Sequence, residues 1–208
     1  MIDFGSVLLI ILFYVVLFLL VHDASSSSNQ SRRQAWSELA KRTGLTFESG
    51  NLWRTSRVTG AYRGHTLVLN TFARISSSSR NTIRDNRIVL FVNNQTNLYL
   101  ALYDKTIFSR IDNLLGVQAI QIGDHKFEQR FMIKGRPEDS ATRLLSDSNL
   151  RARIMATQSF NIEVAGPRLS FEERWGNLDA DYTQSLFDLL TDIAVGVERL
   201  EAPVFNHV

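Results

Sequence analysis

Cysteine is absent from the 208 residues. That excludes a disulfide framework, thiolate zinc sites, iron–sulfur clusters and thiol nucleophiles. Proline occurs three times and glycine eleven times, so collagen-like and proline-rich tracts are excluded. Charge of one sign is not in excess: 23 Lys and Arg face 21 Asp and Glu, for +2. No nucleic-acid partner is expected from that sum.

The motifs of common chemistries are missing as well. No G-x-S-x-G, no G-x-G-x-x-G and no G-x-x-x-x-G-K occurs, so neither a nucleophile elbow nor a phosphate-cradling loop is signalled. Four histidines are present: His22, His65, His125 and His207. None has another histidine three or four residues on, so no metal is expected and no cofactor is implied. Asp124-His125 has the composition of an acid–base pair but reads as a polar turn. Glu172, Glu173, Asp179 and Asp181 cluster by sequence. Strand alternation sends Glu172 and Glu173 to opposite faces, and the two aspartates suit a helix N-terminus. No catalytic residue is assigned.

What the chain does have is apolar residues, 44% of the total, enough for a packed core. The first feature is the charge-free run Phe4–Val21. As a helix it measures roughly 27 Å, the thickness of a bilayer's hydrocarbon core. It lacks the basic start and the cleavage site of a signal peptide, so a transmembrane helix is expected. Arg32, Arg33, Lys41 and Arg42 follow it and none precedes it, which favours a domain on the cytoplasmic side of a single-pass cell-membrane protein. The organisation expected is an anchor at 1–22, a serine-rich tether at 23–31 and a single domain at 32–208. N-x-S/T triplets at Asn29 and Asn94 carry no meaning in a cytoplasmic domain.

The domain reads as α+β: a mostly antiparallel sheet packed against several helices, preceded by the transmembrane helix. A helix is predicted over 31–43, with Trp36, Leu39 and Ala40 on one face and Gly44 as its stop. Strands are predicted at 45–48, 57–62, 65–72, 87–92 and 98–103, the second and third joined through Arg63-Gly64. Asp104 is expected to open a helix to Gly116, followed by a strand pair, 117–122 and 127–134, around Gly123-Asp124. Helices from Pro137 and from Asp147, a hairpin over Gly166-Pro167 and a long helix over 180–200 complete the pattern.

Trp36-x-x-Leu39-Ala40-x-x-x-Gly44-Leu45, Gly60-x-Tyr62-x-Gly64, Gly123-Asp124-x-x-Phe127-x-x-x-Phe131-x-x-x-Gly135, and then Ala141-x-x-Leu144-Leu145 and Leu150, stand in this order. This pattern resembles that of an uncharacterised prokaryotic family of membrane-anchored domains of unknown function, over roughly residues 36 to 155. The resemblance implies a fold, carried by glycines and core aromatics. It implies no activity and no catalytic residues.

Charge is distributed unevenly. Residues 51–93 hold seven arginines against the single acid Asp85, whereas residues 137–208 hold twelve acids against six arginines. Arginine clusters suit anionic partners. The segment from Arg74 to Arg87 reads as a long exposed loop, which makes Arg74, Arg80, Arg84 and Arg87 the candidate surface for a protein or anionic-lipid partner. The competing reading is internal, with the basic hairpins pairing with the acidic carboxyl-terminal half. The function expected is a non-enzymatic, membrane-tethered domain that binds or scaffolds a partner. The alternative is a membrane-bound hydrolase with a site assembled from scattered residues.

Overall fold

The computed structural model describes residues 13–14, 30–50, 55–75, 82–105, 119–158, 160–173 and 179–200. Eight strands form one sheet, every neighbouring pair antiparallel. They are β1 (Thr46–Glu48), β2 (Arg57–Tyr62), β3 (His65–Ile75), β4 (Thr82–Phe91), β5 (Tyr99–Asp104), β6 (Phe131–Arg136), β7 (Phe160–Ala165) and β8 (Arg168–Glu173). Their order across the sheet is β1-β2-β3-β4-β8-β7-β5-β6. The helices are α1 over 30–43, α2 (His125–Arg130), α3 (Glu138–Leu145), α4 (Ser148–Ala156) and α5 (Ala180–Glu198).

The expected fold class included a leading transmembrane helix, and this is corrected. Among the described residues no helix is long and apolar enough to cross a membrane. The run Phe4–Val21 lies outside the described residues except for Phe13 and Tyr14, which are helical and exposed. The fold is an α+β arrangement of the eight-stranded sheet and helices α1 to α5. Helix α1 begins at Gln30, just inside the stretch expected to be tether.

Alternation along the strands decides which face of the sheet meets the helices. Val58, Leu67, Leu69, Ile88, Leu90, Leu169 and Phe171 are all at most 2% exposed and point inward. Helix α5 supplies Leu186, Phe187, Leu190 and Ile193 from its apolar stripe, and Trp36 and Leu39 of α1 are buried in the same core. Four phenylalanines stack across α2, β6, β7 and β8. Centroid distances are 4.8 Å for Phe127–Phe131, then 5.3 Å for Phe131–Phe160 and 5.3 Å for Phe160–Phe171. Contacts of this spacing add specific aromatic attraction to the area buried.

Two hairpins turn as their residues dictate. Arg63 and Gly64 both adopt positive φ, 46° and 89°, the type I′ geometry that matches strand twist. Gly166-Pro167 joins β7 to β8 in the register Ala165↔Arg168. Asn94 fastens a third connection: its Oδ1 accepts from the Leu98 N–H at 2.8 Å, and its Nδ2 donates to the carbonyls of Leu98 and Gly166.

Two sequence expectations change. Residues 74–75 and 82–87 are strand and not loop, because β3 and β4 pair continuously from Leu67↔Leu90 to Ile75↔Thr82; residues 76–81 lie outside the described residues. The stretch from His125 begins as helix α2 and not as a strand. Asp124 Oδ1 accepts from the Phe127 N–H at 3.1 Å and Glu128 Oε1 accepts from the N–H groups of Ile122 and Gly123, which secures donors at the helix start. Asp104 ends β5, buried to 1%, and receives the Arg130 Nε–H at 3.1 Å; the helix expected to follow it lies outside the described residues. The apolar residues from Ile107 to Leu115 lie outside the described residues, and of the strand expected over 117–122 only an isolated bridge, Ala119↔Lys134, is described.

Candidate functional site

The sheet face turned away from the α5 core carries polar residues in rows. Register places Met132, Tyr103, Asn161, Glu172, Arg87 and Asn70 side by side across β6, β5, β7, β8, β4 and β3. A second row runs Lys134, Ala101, Glu163, Ser170, Val89, Val68 across the same strands. Neighbours within a row stand about 4.8 Å apart, so a ligand laid along a row meets several strands at once.

Ala101 shows how deep this face is. It lies on the same face as Tyr99 and Tyr103, two residues to either side, and is fully buried. Lys134, opposite Ala101 on β6, is only 6% exposed. Two side-chain atoms at outward positions are buried without a hydrogen-bond partner, Asn70 Oδ1 and Asn161 Oδ1, and the Tyr99 hydroxyl lies beside that of Tyr103. Buried polar atoms are rarely left so.

Electrostatics on this face follow from burial. Burial pushes the Tyr103 phenol well above its ordinary value, helped by the Tyr99 hydroxyl beside it and the carboxylates of Glu163 and Glu172. Burial, then the neighbouring Glu172, also raises Glu163. Arg87 balances part of this charge. It pairs with Glu172 Oε1 at 2.7 Å, and its guanidinium lies 4.0 Å from the Phe72 ring centroid. The face therefore offers carboxylate and amide acceptors, tyrosine hydroxyl donors and flat aromatic rings. That combination suits a neutral ligand rich in hydroxyls, whose ring C–H faces pack on tyrosine.

Of the arginines singled out from sequence, one has a described side chain. Arg87 is engaged by Glu172. Arg74 lies in β3 opposite Ile83 and Arg84 in β4 opposite Ala73, and Arg80 lies outside the described residues. Ion pairs join basic amino-terminal residues to acidic carboxyl-terminal ones: Arg42 with Asp181, Arg63 with Asp188 at 3.0 Å and Arg87 with Glu172. Such pairs are what the internal reading of the charge asymmetry expects.

The histidines and acids are placed in structural roles. His65 Nε2 lies 3.2 Å from Glu198 Oε1, which also accepts from the Asn93 N–H. His125 on exposed α2 contacts Gln129, and His22 and His207 lie outside the described residues. Asp124 caps α2, and the Phe127 N–H together with Arg151 holds its carboxyl below the usual range. Glu172 and Glu173 do point to opposite faces: Glu173 is 3% exposed on the core side and accepts from the Tyr182 hydroxyl at 2.6 Å. Asp179 caps α5 through the Asp181 N–H. Among the described residues no group of three His, Asp or Glu is placed to hold a metal ion.

Tyr99, Tyr103, Asn161 and Glu163 escaped sequence reasoning. The outward positions of β7 and β8 were legible, because Asn161, Glu163, Ser170 and Glu172 alternate with apolar residues. Their meeting with the β5 tyrosines depends on the order β8-β7-β5, which no local pattern announces.

No family model matches the chain, and no curated protein does. The fold is similar to that of a solved structure, the crystal structure of the mycobacterial trehalose monomycolate transport factor A, TtfA. The TM-score is 0.57, the identity 14%, and the match covers 82% of this chain and 97% of that one. At that identity the likeness is one of fold.

Proposed function

We propose that this chain is a non-enzymatic binding module in a lipid-transport process. The outward sheet face takes the hydroxyl-rich head group of a lipid. One observation carries the reading: Asn70 Oδ1 and Asn161 Oδ1 stand buried and unpartnered on a face made of strands. Unmet polar groups reduce the stability of the free domain by about 1–3 kcal/mol each. A ligand that supplies the missing hydrogen bonds recovers that free energy on binding. The fold shared with a trehalose monomycolate transport factor supports trehalose as the first head group to try.

The experiment is an NMR-detected titration of the full chain with trehalose. The expected result is saturable shifts at the amides of Tyr99, Ala101, Asn161 and Glu163, lost in Asn161→Ala. Shifts confined to other surfaces, or none at high trehalose concentration, would remove the head-group reading.

A further inference from the structure

A cleft of about 500 Å³ opens between α3, α4 and α5, far in sequence and topology from the polar rows of the outward sheet face. That volume lies within the range of small-molecule sites. Its floor is apolar, made of Leu144, Leu150, Val195 and Leu200, and Gly196 adds bare backbone. Gly196 matters for the shape: a Cβ there would stand 2.5 Å from Leu144 Cδ1, so its absence lets α3 lie close to α5.

The rim is charged, and its charges do not cancel. Asp147 is committed to α4, where its carboxylate accepts from the Asn149 and Leu150 N–H groups at 2.8 and 3.2 Å. Asp192 is committed to Arg153. Arg143 and Arg199, both exposed, also line the cleft and take part in no ion pair among the described residues. Two guanidiniums that form no ion pair among the described residues thus border the apolar floor, and with Arg153 they outnumber the rim carboxylates Asp147 and Asp192.

We propose that this cleft binds a single-chain amphiphile with an anionic oxygen head group. Arg143 and Arg199 hold the carboxylate or phosphate, because guanidinium forks match planar and tetrahedral oxyanions with paired N–H donors. The alkyl chain lies over Leu144, Val195 and Leu200, where its burial releases water from apolar surface on both sides. Neither element suffices alone. A free anion gains no contact with the floor, and a neutral or cationic amphiphile leaves the guanidiniums unmatched.

The test is isothermal titration calorimetry on the full chain with dodecyl phosphate kept below its micelle concentration. Inorganic phosphate and dodecyltrimethylammonium supply the head-only and opposite-charge arms. Dodecyl phosphate is expected to bind at least tenfold more tightly than either. Arg143→Gln and Arg199→Gln should each weaken it about tenfold. Val195→Gln should weaken it severalfold while the circular dichroism spectrum stays unchanged, and Arg168→Gln, on β8 and outside the cleft lining, should leave it unaltered. Inorganic phosphate binding as tightly as dodecyl phosphate would overturn the amphiphile assignment. Equal affinity in the Arg143 and Arg199 variants, or equal loss in Arg168→Gln, would overturn the site. No probe carries a sugar, so failure here leaves the sheet-face reading standing.

Discussion

The Tyr182 hydroxyl donates to Glu173 Oε1 at 2.6 Å, joining the first turn of α5 to the last residue of β8. Glu173 is 3% exposed. Burial raises its pKa, and the Tyr182 hydrogen bond offsets part of that rise. Tyr182 is pushed upward in turn, by burial first and then by Glu173. A carboxyl whose folded pKa exceeds its unfolded value binds more protons in the folded state. Stability from this group is therefore full below the unfolded value near 4.5 and is lost as pH rises through the folded value.

Glu173→Gln keeps an acceptor for Tyr182 and removes the buried charge. It should leave stability unchanged near pH 4 and raise it at pH 7.5, where the parent carries the buried charge. Urea denaturation of both proteins at the two pH values measures the difference. A gain that does not grow with pH contradicts the assignment of Glu173 as a buried, upward-shifted carboxyl. Tyr182→Phe should act in the opposite sense at pH 7.5, losing about 1.5–3 kcal/mol with the hydrogen bond to a charged acceptor.

Arg130 ties three segments together. It donates to Asp104 Oδ2 at 3.1 Å, to the Thr157 carbonyl at 2.6 Å and to the Met155 carbonyl. Because Asp104 is 1% exposed, removing the guanidinium takes a cation away from a buried carboxylate. Arg130→Ala should destabilise by about 3–5 kcal/mol, and Asp104→Asn combined with it should recover part of that. A loss below about 1 kcal/mol in thermal or urea unfolding would show that the cluster is solvated.

Gly135 and Ala141 explain one element of the sequence pattern. A Cβ on Gly135 would lie 2.5 Å from Ala141 Cβ and 3.2 Å from Ile120 Cδ1. A methyl fixed to the backbone cannot rotate aside, so α3 would have to move off β6. Gly135→Ala should destabilise by about 1–3 kcal/mol through overpacking. Ala141→Gly in the same chain should relieve the clash, and a double-mutant cycle measures the coupling.

Much of this fold was readable locally. Arg63-Gly64 announced its hairpin, Gly166-Pro167 its own, and the stripe of Leu186, Leu189, Leu190, Ile193 and Val197 announced α5. Helix α2 was misread because Phe127 and Phe131 sit four apart, a spacing that both a helix turn and an alternating strand satisfy. Asp124 and Glu128 settle the matter by capping. Strands β3 and β4 run further than their composition suggests because arginines mimic a loop, whereas paired backbone groups carry the strands through Arg74 and Arg84 to Ile75↔Thr82. The outward polar rows were illegible for a different reason. Tyr103, Asn161 and Glu172 are neighbours only through the order of strands distant in sequence, and that order is a tertiary outcome.

The central claim is that the outward sheet face gives up stability to stay ready for a hydroxyl-rich ligand. Asn161→Leu tests it most directly, with stability of the free chain and trehalose affinity measured on the same sample. Removal of a buried, unpartnered amide oxygen predicts a free chain as stable as the parent or up to about 1 kcal/mol more stable, together with trehalose affinity lowered about tenfold. An Asn161→Leu protein that is destabilised and binds trehalose as the parent does would contradict the account, because the amide would then be serving the fold and not a ligand.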